Sequence, residues 1–127
     1  MSRSVLLQLA RDSIQEVLEA KRAIDKKALV MEHPLLNEKM ATTVNIYIDS
    51  ELRGSSSTKI PSYTLLEDII RNAKISAFED KNFSPITTSE YLNCEIELIL
   101  TTSDGEISEK DPAILKTTSY SIENEIE

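Results

Sequence analysis

Two stretches of this chain alternate apolar and polar residues with a period of two, and a well-capped helical stretch lies between them. In the first, Val44, Ile46 and Ile48 share one parity while Thr43, Asn45, Tyr47 and Asp49 share the other. In the second, Leu92, Cys94, Ile96, Leu98 and Leu100 alternate with Asn93, Glu95 and Glu97. Successive side chains on a strand point to opposite faces, so each stretch predicts a strand with one face on a core and one toward water. Asp49-Ser50-Glu51 reads as a short polar turn after the first strand. Leu52-Arg53-Gly54-Ser55 can then run back antiparallel, before a polar loop from Ser55 to Thr58 that Pro61 closes.

Half-buried strands need a second layer, and the helical segments supply it. In residues 4 to about 23, Leu6, Leu9, Ala10, Ile14, Val17 and Leu18 recur at three- and four-residue steps, with Arg11, Asp12, Glu16 and Glu19 off that stripe. Residues 24–40 are less regular; Pro34 discourages helix through His33, and Leu35 to Met40 could form a short turn. The best-punctuated helix starts at Thr64-Leu65-Leu66-Glu67, a capping-box pattern, and buries Leu66, Ile69, Ile70, Ala73 and Ala77. Glu67 and Asp68 suit the positive end of its dipole, and Glu67–Arg71 is spaced for a pair worth about 0.2–0.5 kcal/mol. Thr87-Thr88-Ser89-Glu90 repeats the capping-box pattern and predicts one or two helical turns. The expected fold is α+β: a small antiparallel or mixed sheet packed by two main helices.

The 127 residues suit one domain. Residues 102–127 differ in character, with seven acidic residues against Lys110 and Lys116. They are expected to be a mobile acidic tail following a domain of residues 1–101, the alternative being an added strand from Ile114 to Tyr120.

Composition excludes much. With 22 acidic and 14 basic residues the net charge is −8, which repels a phosphate backbone, and Lys21, Arg22, Lys26 and Lys27 alternate with acids instead of forming a basic patch. Neither nucleic acid nor a membrane is expected as a partner, since no run of about 18 apolar residues exists. The N-terminus becomes polar too early for a signal peptide, and a lone Cys94 cannot form an intramolecular disulfide, so a cytoplasmic location is expected. His33 and Cys94 are too few for a zinc site, His33 is the sole imidazole available to a catalytic set, and two glycines make no phosphate-cradling loop. No cofactor is expected. Cys94 shares a strand face with Leu92, Ile96 and Leu98 and reads as a small core residue.

One segment keeps chemical interest. Arg53 offers a planar fork for a carboxylate or phosphate, Gly54 allows a positive φ or a close approach, and Ser55 and Ser56 offer hydroxyls. From the residues alone, the plainer reading of the same segment prevails: a hairpin strand that ends in a polar loop, with Arg53 paired to Glu51 or Glu95.

Leu52-Arg53-Gly54, then Ser76-Ala77-Phe78-Glu79-Asp80, then Phe83-Ser84-Pro85-Ile86 and Glu90-Tyr91-Leu92 ahead of a strand, resembles the AMMECR domain family in order and spacing from about residue 4 to residue 101. The family signature reads Leu-Arg-Gly-Cys-Ile-Gly, later Ala-Phe-x-Asp-x-Arg-Phe-x-Pro. Here Ser55 stands for the family cysteine, Ser56-Ser57 for Ile-Gly and Asn82 for the arginine before Phe83, and residues 102–127 do not resemble the family's C-terminal half. The resemblance marks Arg53, Gly54, Ser55, Ser56, Asp80 and Asn82 as candidate ligand-binding residues and implies association with a Memo-like protein or a radical SAM enzyme. Ser55 has no evident base, so the reading is a non-catalytic accessory or protein-interaction module, with a homodimer possible. The alternative is a small enzyme or ligand-binding domain that holds an anionic metabolite on Arg53, with Asp80 or Glu51 as base.

Overall fold

The computed structural model describes residues 3–114. Helix α1 spans Val5–Glu19, α2 Lys26–Glu32, and a 3-10 turn covers Pro34–Asn37. Strands β1 (Ala41–Ile48) and β2 (Glu51–Ser57) form a hairpin. Helices α3 (Leu65–Phe78) and α4 (Thr88–Asn93) follow, and strands β3 (Glu95–Thr102) and β4 (Gly105–Asp111) form a second hairpin. The sheet is antiparallel throughout, in the order β2-β1-β3-β4. The expected α+β class is the observed one.

The sequence explains the turns. A two-residue hairpin that matches strand twist needs positive φ at both central residues. Asp49 and Ser50 adopt φ 51° and 67° without a glycine, Asp being one of the few residues that tolerate this region. The β3–β4 turn uses Gly105 at φ 132°, with the Thr102 hydroxyl accepting from Asp104 N–H and donating to Gly105 O.

Helix α3 lies across β1 and β2, and α1 packs on α3 and against β3 and β4. Between them and the sheet sits an aliphatic core that includes Ile14, Val44, Ile46, Leu65, Ile69, Ile96 and Leu98, all fully buried. Thr64 caps α3 by accepting from Glu67 N–H at 3.3 Å. The expected Glu67–Arg71 pair does not form, because tertiary partners compete better. Glu67 pairs with Lys26 at 2.9 Å, and the Arg71 guanidinium sits 4.3 Å from the Tyr63 ring centre. At α4 the full capping box is present: Thr87 accepts from Glu90 N–H, and Glu90 accepts from Thr87 N–H.

Several sequence expectations change. Helix α1 stops at Glu19 instead of near Ala23, because Ala20 turns left-handed (φ 53°) and the Glu16 carboxylate folds back onto the N–H groups of Ala23 and Ile24. Its buried arc takes in Leu7, Arg11 and Ser13, whereas Val17 is 45% exposed. The short turn begins at Pro34 itself and ends at Asn37. The serines read as a loop continue strand β2 to Ser57, paired with Thr43. Within the segment expected as a tail, residues 105–111 form β4, an edge strand so polar that Ile107 is its single apolar side chain. The alternative strand from Ile114 to Tyr120 lies outside the described residues apart from Ile114. Among the described residues, no helix is long and apolar enough to cross a membrane.

Candidate functional site

The register of β1 against β2 slips once. Ile46 faces Gly54 and Tyr47 faces Leu52, so Arg53 is the extra residue of a β-bulge. A bulge re-aims the side chain it carries. Here it sends Arg53 to the segment ahead of α4, where its guanidinium lies 5.3 Å from the Phe83 ring centre. Nε and Nη2 donate to the two Glu90 carboxylate oxygens at 2.9 and 3.0 Å, and Nη2 also donates to Ser84 O at 2.8 Å. The expected pairing with Glu51 or Glu95 is replaced by this bidentate fork, the strongest geometry an arginine offers a carboxylate.

Gly54 is fixed by a close approach rather than by its φ. A Cβ built there would stand 2.0 Å from the Ser76 carbonyl oxygen of α3. Ser55 donates its hydroxyl to Asn45 Oδ1 at 2.6 Å and its N–H to Asp80 Oδ2 at 2.9 Å. The other oxygen of Asp80 accepts from Asn82 N–H at 2.8 Å. Ser56 donates to Asn72 Oδ1 at 2.7 Å. The structure thus brings Arg53, Ser55, Asp80 and the 82–90 segment together around the β2 edge, and sends Ser56 to a separate, buried polar knot. In that knot the fully buried Asp68 accepts from Thr42 N–H, from the Thr42 and Thr58 hydroxyls and from Asn72 Nδ2. Asn82 contributes its backbone to the cluster, its side chain being exposed. Glu51 is exposed at the start of β2.

The sheet face away from the helices carries a second set of connected groups. Glu97 accepts from Asn45 Nδ2, the Tyr47 hydroxyl and the Ser108 hydroxyl at 3.0–3.1 Å, joining three strands, and Ser55 extends the chain to the fourth through Asn45. These bonds, Asn45 first, hold the Glu97 carboxyl below its ordinary pKa against an opposing burial effect. The Tyr47 phenol is pushed up by burial and by its bond to that carboxylate. A groove of about 240 Å³ opens on this face between Tyr47, Ser50, Glu95, Glu97 and Lys110.

A third cluster was not anticipated from the sequence. Arg11, completely buried, donates to Asp111 Oδ2 at 2.5 Å and to the carbonyls of Tyr91, Cys94 and Pro112 at 2.9–3.3 Å. Arg3 holds the other Asp111 oxygen at 2.9 Å. Burial pushes the neighbouring Cys94 thiol up in pKa, which keeps it protonated and unreactive. The overlooked signal was spacing: Arg11 lies four residues after Leu7 and three before Ile14, inside the buried arc. Among the described residues no group of three or more His, Cys, Asp or Glu side chains could hold a metal ion.

The Arg53 fork carries a pH dependence. Its hydrogen bonds lower the Glu90 pKa from 4.5, with burial opposing and the Thr87 N–H adding to the effect. A carboxyl lowered in the folded state stabilises above its unfolded pKa, and that contribution fades as pH falls through the folded value. Glu90→Gln is therefore expected to flatten the loss of stability on acidification below pH 4.5 relative to the parent, read from urea midpoints across that range. Identical acid slopes would show that the fork contributes nothing in solution.

Comparison with known proteins gives one family. The family model described as AMMECR1 matches residues 7–122, extending past residue 101, where the motif resemblance ended. The chain is 33% identical over 91 residues to Protein TV1384 of Thermoplasma volcanium, covering 70% of this chain and 45% of that protein. It is 31% identical over 102 residues to Protein PF1979 of Pyrococcus furiosus, covering 76% and 48% respectively. The crystal structure of the uncharacterized protein PH0010 from Pyrococcus horikoshii superposes with a TM-score of 0.67 at 32% identity, over 76% of this chain and 49% of that one. The chain spans about half the length of these relatives.

Proposed function

From the premise that this chain belongs to the AMMECR1 family, we propose that it serves as a non-catalytic accessory module that recognises a protein partner through the open polar face of its sheet. The observation that carries this reading is the state of the Arg53 fork. Arg53 spends Nε and Nη2 on Glu90 and Ser84, and Asp80 spends both oxygens on backbone N–H groups. Ser55 donates to an amide oxygen, not to a base. Groups engaged in this way hold a shape; an anion gripped by the Nε–Nη2 edge of Arg53 would have to displace Glu90.

The open face is suited to recognition. It is fixed by the Asn45–Glu97–Ser108 chain and carries hydroxyls, carboxylates and Lys110 with few large apolar groups. Polar faces of this kind form specific, exchangeable contacts rather than permanent apolar ones. Candidate partners are a Memo-like protein or a radical SAM enzyme, the associations that the family resemblance implies. The single buried thiol suits a cytoplasmic setting.

The test is co-purification of the chain with each candidate. Wild type is expected to be retained, and Glu97→Lys, which breaks the three-strand network, is expected to weaken retention at least about tenfold by inserting an unpaired charge at a contact face. Retention that ignores Glu97→Lys overturns the reading. So does turnover of phosphorylated or carboxylated metabolites by the isolated chain.

A further inference from the structure

The two edges of the sheet are protected very differently. At β2 the Arg53 bulge interrupts the strand and Asp80 occupies the Ser55 N–H, so the edge cannot continue as a regular ladder. At β4 the pairing with β3 runs unbroken from Thr102–Gly105 to Ile96–Asp111, and no described strand lies on its outer side. Bulges, prolines, covering loops and charged side chains are the usual protection of an edge. Within Gly105–Asp111 strand β4 has only the charges of Glu106, Glu109, Lys110 and Asp111, which repel mismatched partners but can pair in a matched register, and it leaves Ile107 57% exposed.

We propose that β4 pairs antiparallel with β4 of a second copy of this chain, across a two-fold axis at Ser108 normal to the sheet. Such an axis keeps each sheet face on its own side, so residues of equal parity meet. All seven residues then pair, and Glu106 of each copy stands opposite Lys110 of the other, twice per dimer. Opposite charges directly across a strand pair are favourable and like charges unfavourable. Moving the axis to Glu109 sets that residue against itself. Moving it to Ile107 puts Gly105 against Glu109 and takes Lys110 off the partner strand. The Ser108 register is thus the one in which edge length and charge pattern agree. It joins the two open faces into one continuous surface, with the two grooves near Lys110 flanking the axis.

Sedimentation velocity over a dilution series of the full chain tests the pairing, with Glu106→Lys, Lys110→Glu and their combination as variants. The parent is expected to reach twice 14.3 kDa. Each single reversal is expected to raise the dissociation constant roughly tenfold, since two attractive pairs become repulsive, and the double reversal to return it to within about threefold of the parent. Glu106 is exposed opposite Thr101, so its reversal leaves the fold intact, which circular dichroism checks. A parent that stays at 14.3 kDa throughout overturns the proposal. So does a dimer that Glu106→Lys leaves equally tight, or one that the double reversal does not rescue. These outcomes are independent of partner capture, which is read through Glu97.

Discussion

Arg11→Ala is expected to lower the unfolding free energy by about 3 kcal/mol or more, toward the 3–5 kcal/mol typical of removing one partner from a buried ion pair. The guanidinium is fully buried, and its loss removes a donor from the carbonyls of Tyr91, Cys94 and Pro112 as well as opening a cavity. Arg3 still holds one Asp111 oxygen, which keeps the effect near the lower end of that range. Urea unfolding measures it, and a loss under about 1 kcal/mol would show that water enters the site readily. A second comparison separates pairing from mere presence. Arg11→Met with Asp111→Leu removes both charges, and apolar replacements of similar volume often restore most of what a broken buried pair loses. The double variant is therefore expected to be more stable than Arg11→Ala.

Gly54→Ala is expected to cost about 3 kcal/mol, at the upper end of ordinary overpacking, because the obstacle is a main-chain oxygen. The added Cβ would lie 2.0 Å from Ser76 O and 3.0 Å from Ser76 C, neither of which can rotate aside. Relief requires moving α3 away from β2, which would open the contact between the sheet and Leu65, Ile69 and Ala73. Against a total stability of roughly 5–15 kcal/mol for a domain of this size, such a loss shifts the unfolding midpoint substantially. An unfolding free energy within about 1 kcal/mol of the parent would mean that α3 can back away from β2 at little cost.

The parts of this fold that the sequence makes legible are those decided by neighbours along the chain. Val44 and Ile46, Ile96 and Leu98, and the Thr64 and Thr87 caps are local patterns, and all are found where period and capping rules put them. What stayed hidden is long-range. Glu90 was readable as a capping residue through Thr87, but a carboxylate has capacity for more than its cap, and only the folded chain brings Arg53 to it. Arg11 reads as a surface residue in the sequence because charge usually accompanies exposure, yet a paired arginine can fill a core position. Strand β4 was obscured because an exposed edge strand needs few apolar residues and so leaves little periodicity to read. Gly54 was recognised as special, though the approaching group proved to be a helix backbone and not a ligand.

The tie between Arg11 and Asp111 spans 100 positions of the chain, which sets an order of events during synthesis. At translation rates of about 5–20 residues per second, α1 leaves the peptidyl-transferase centre roughly 5–20 s before the carboxylate that neutralises its buried cation exists. Until then, seating α1 on the growing domain would bury an uncompensated charge. Helix α1, made before every sheet strand it packs on, therefore gains its buried counter-charge only once the β3–β4 hairpin has been delivered.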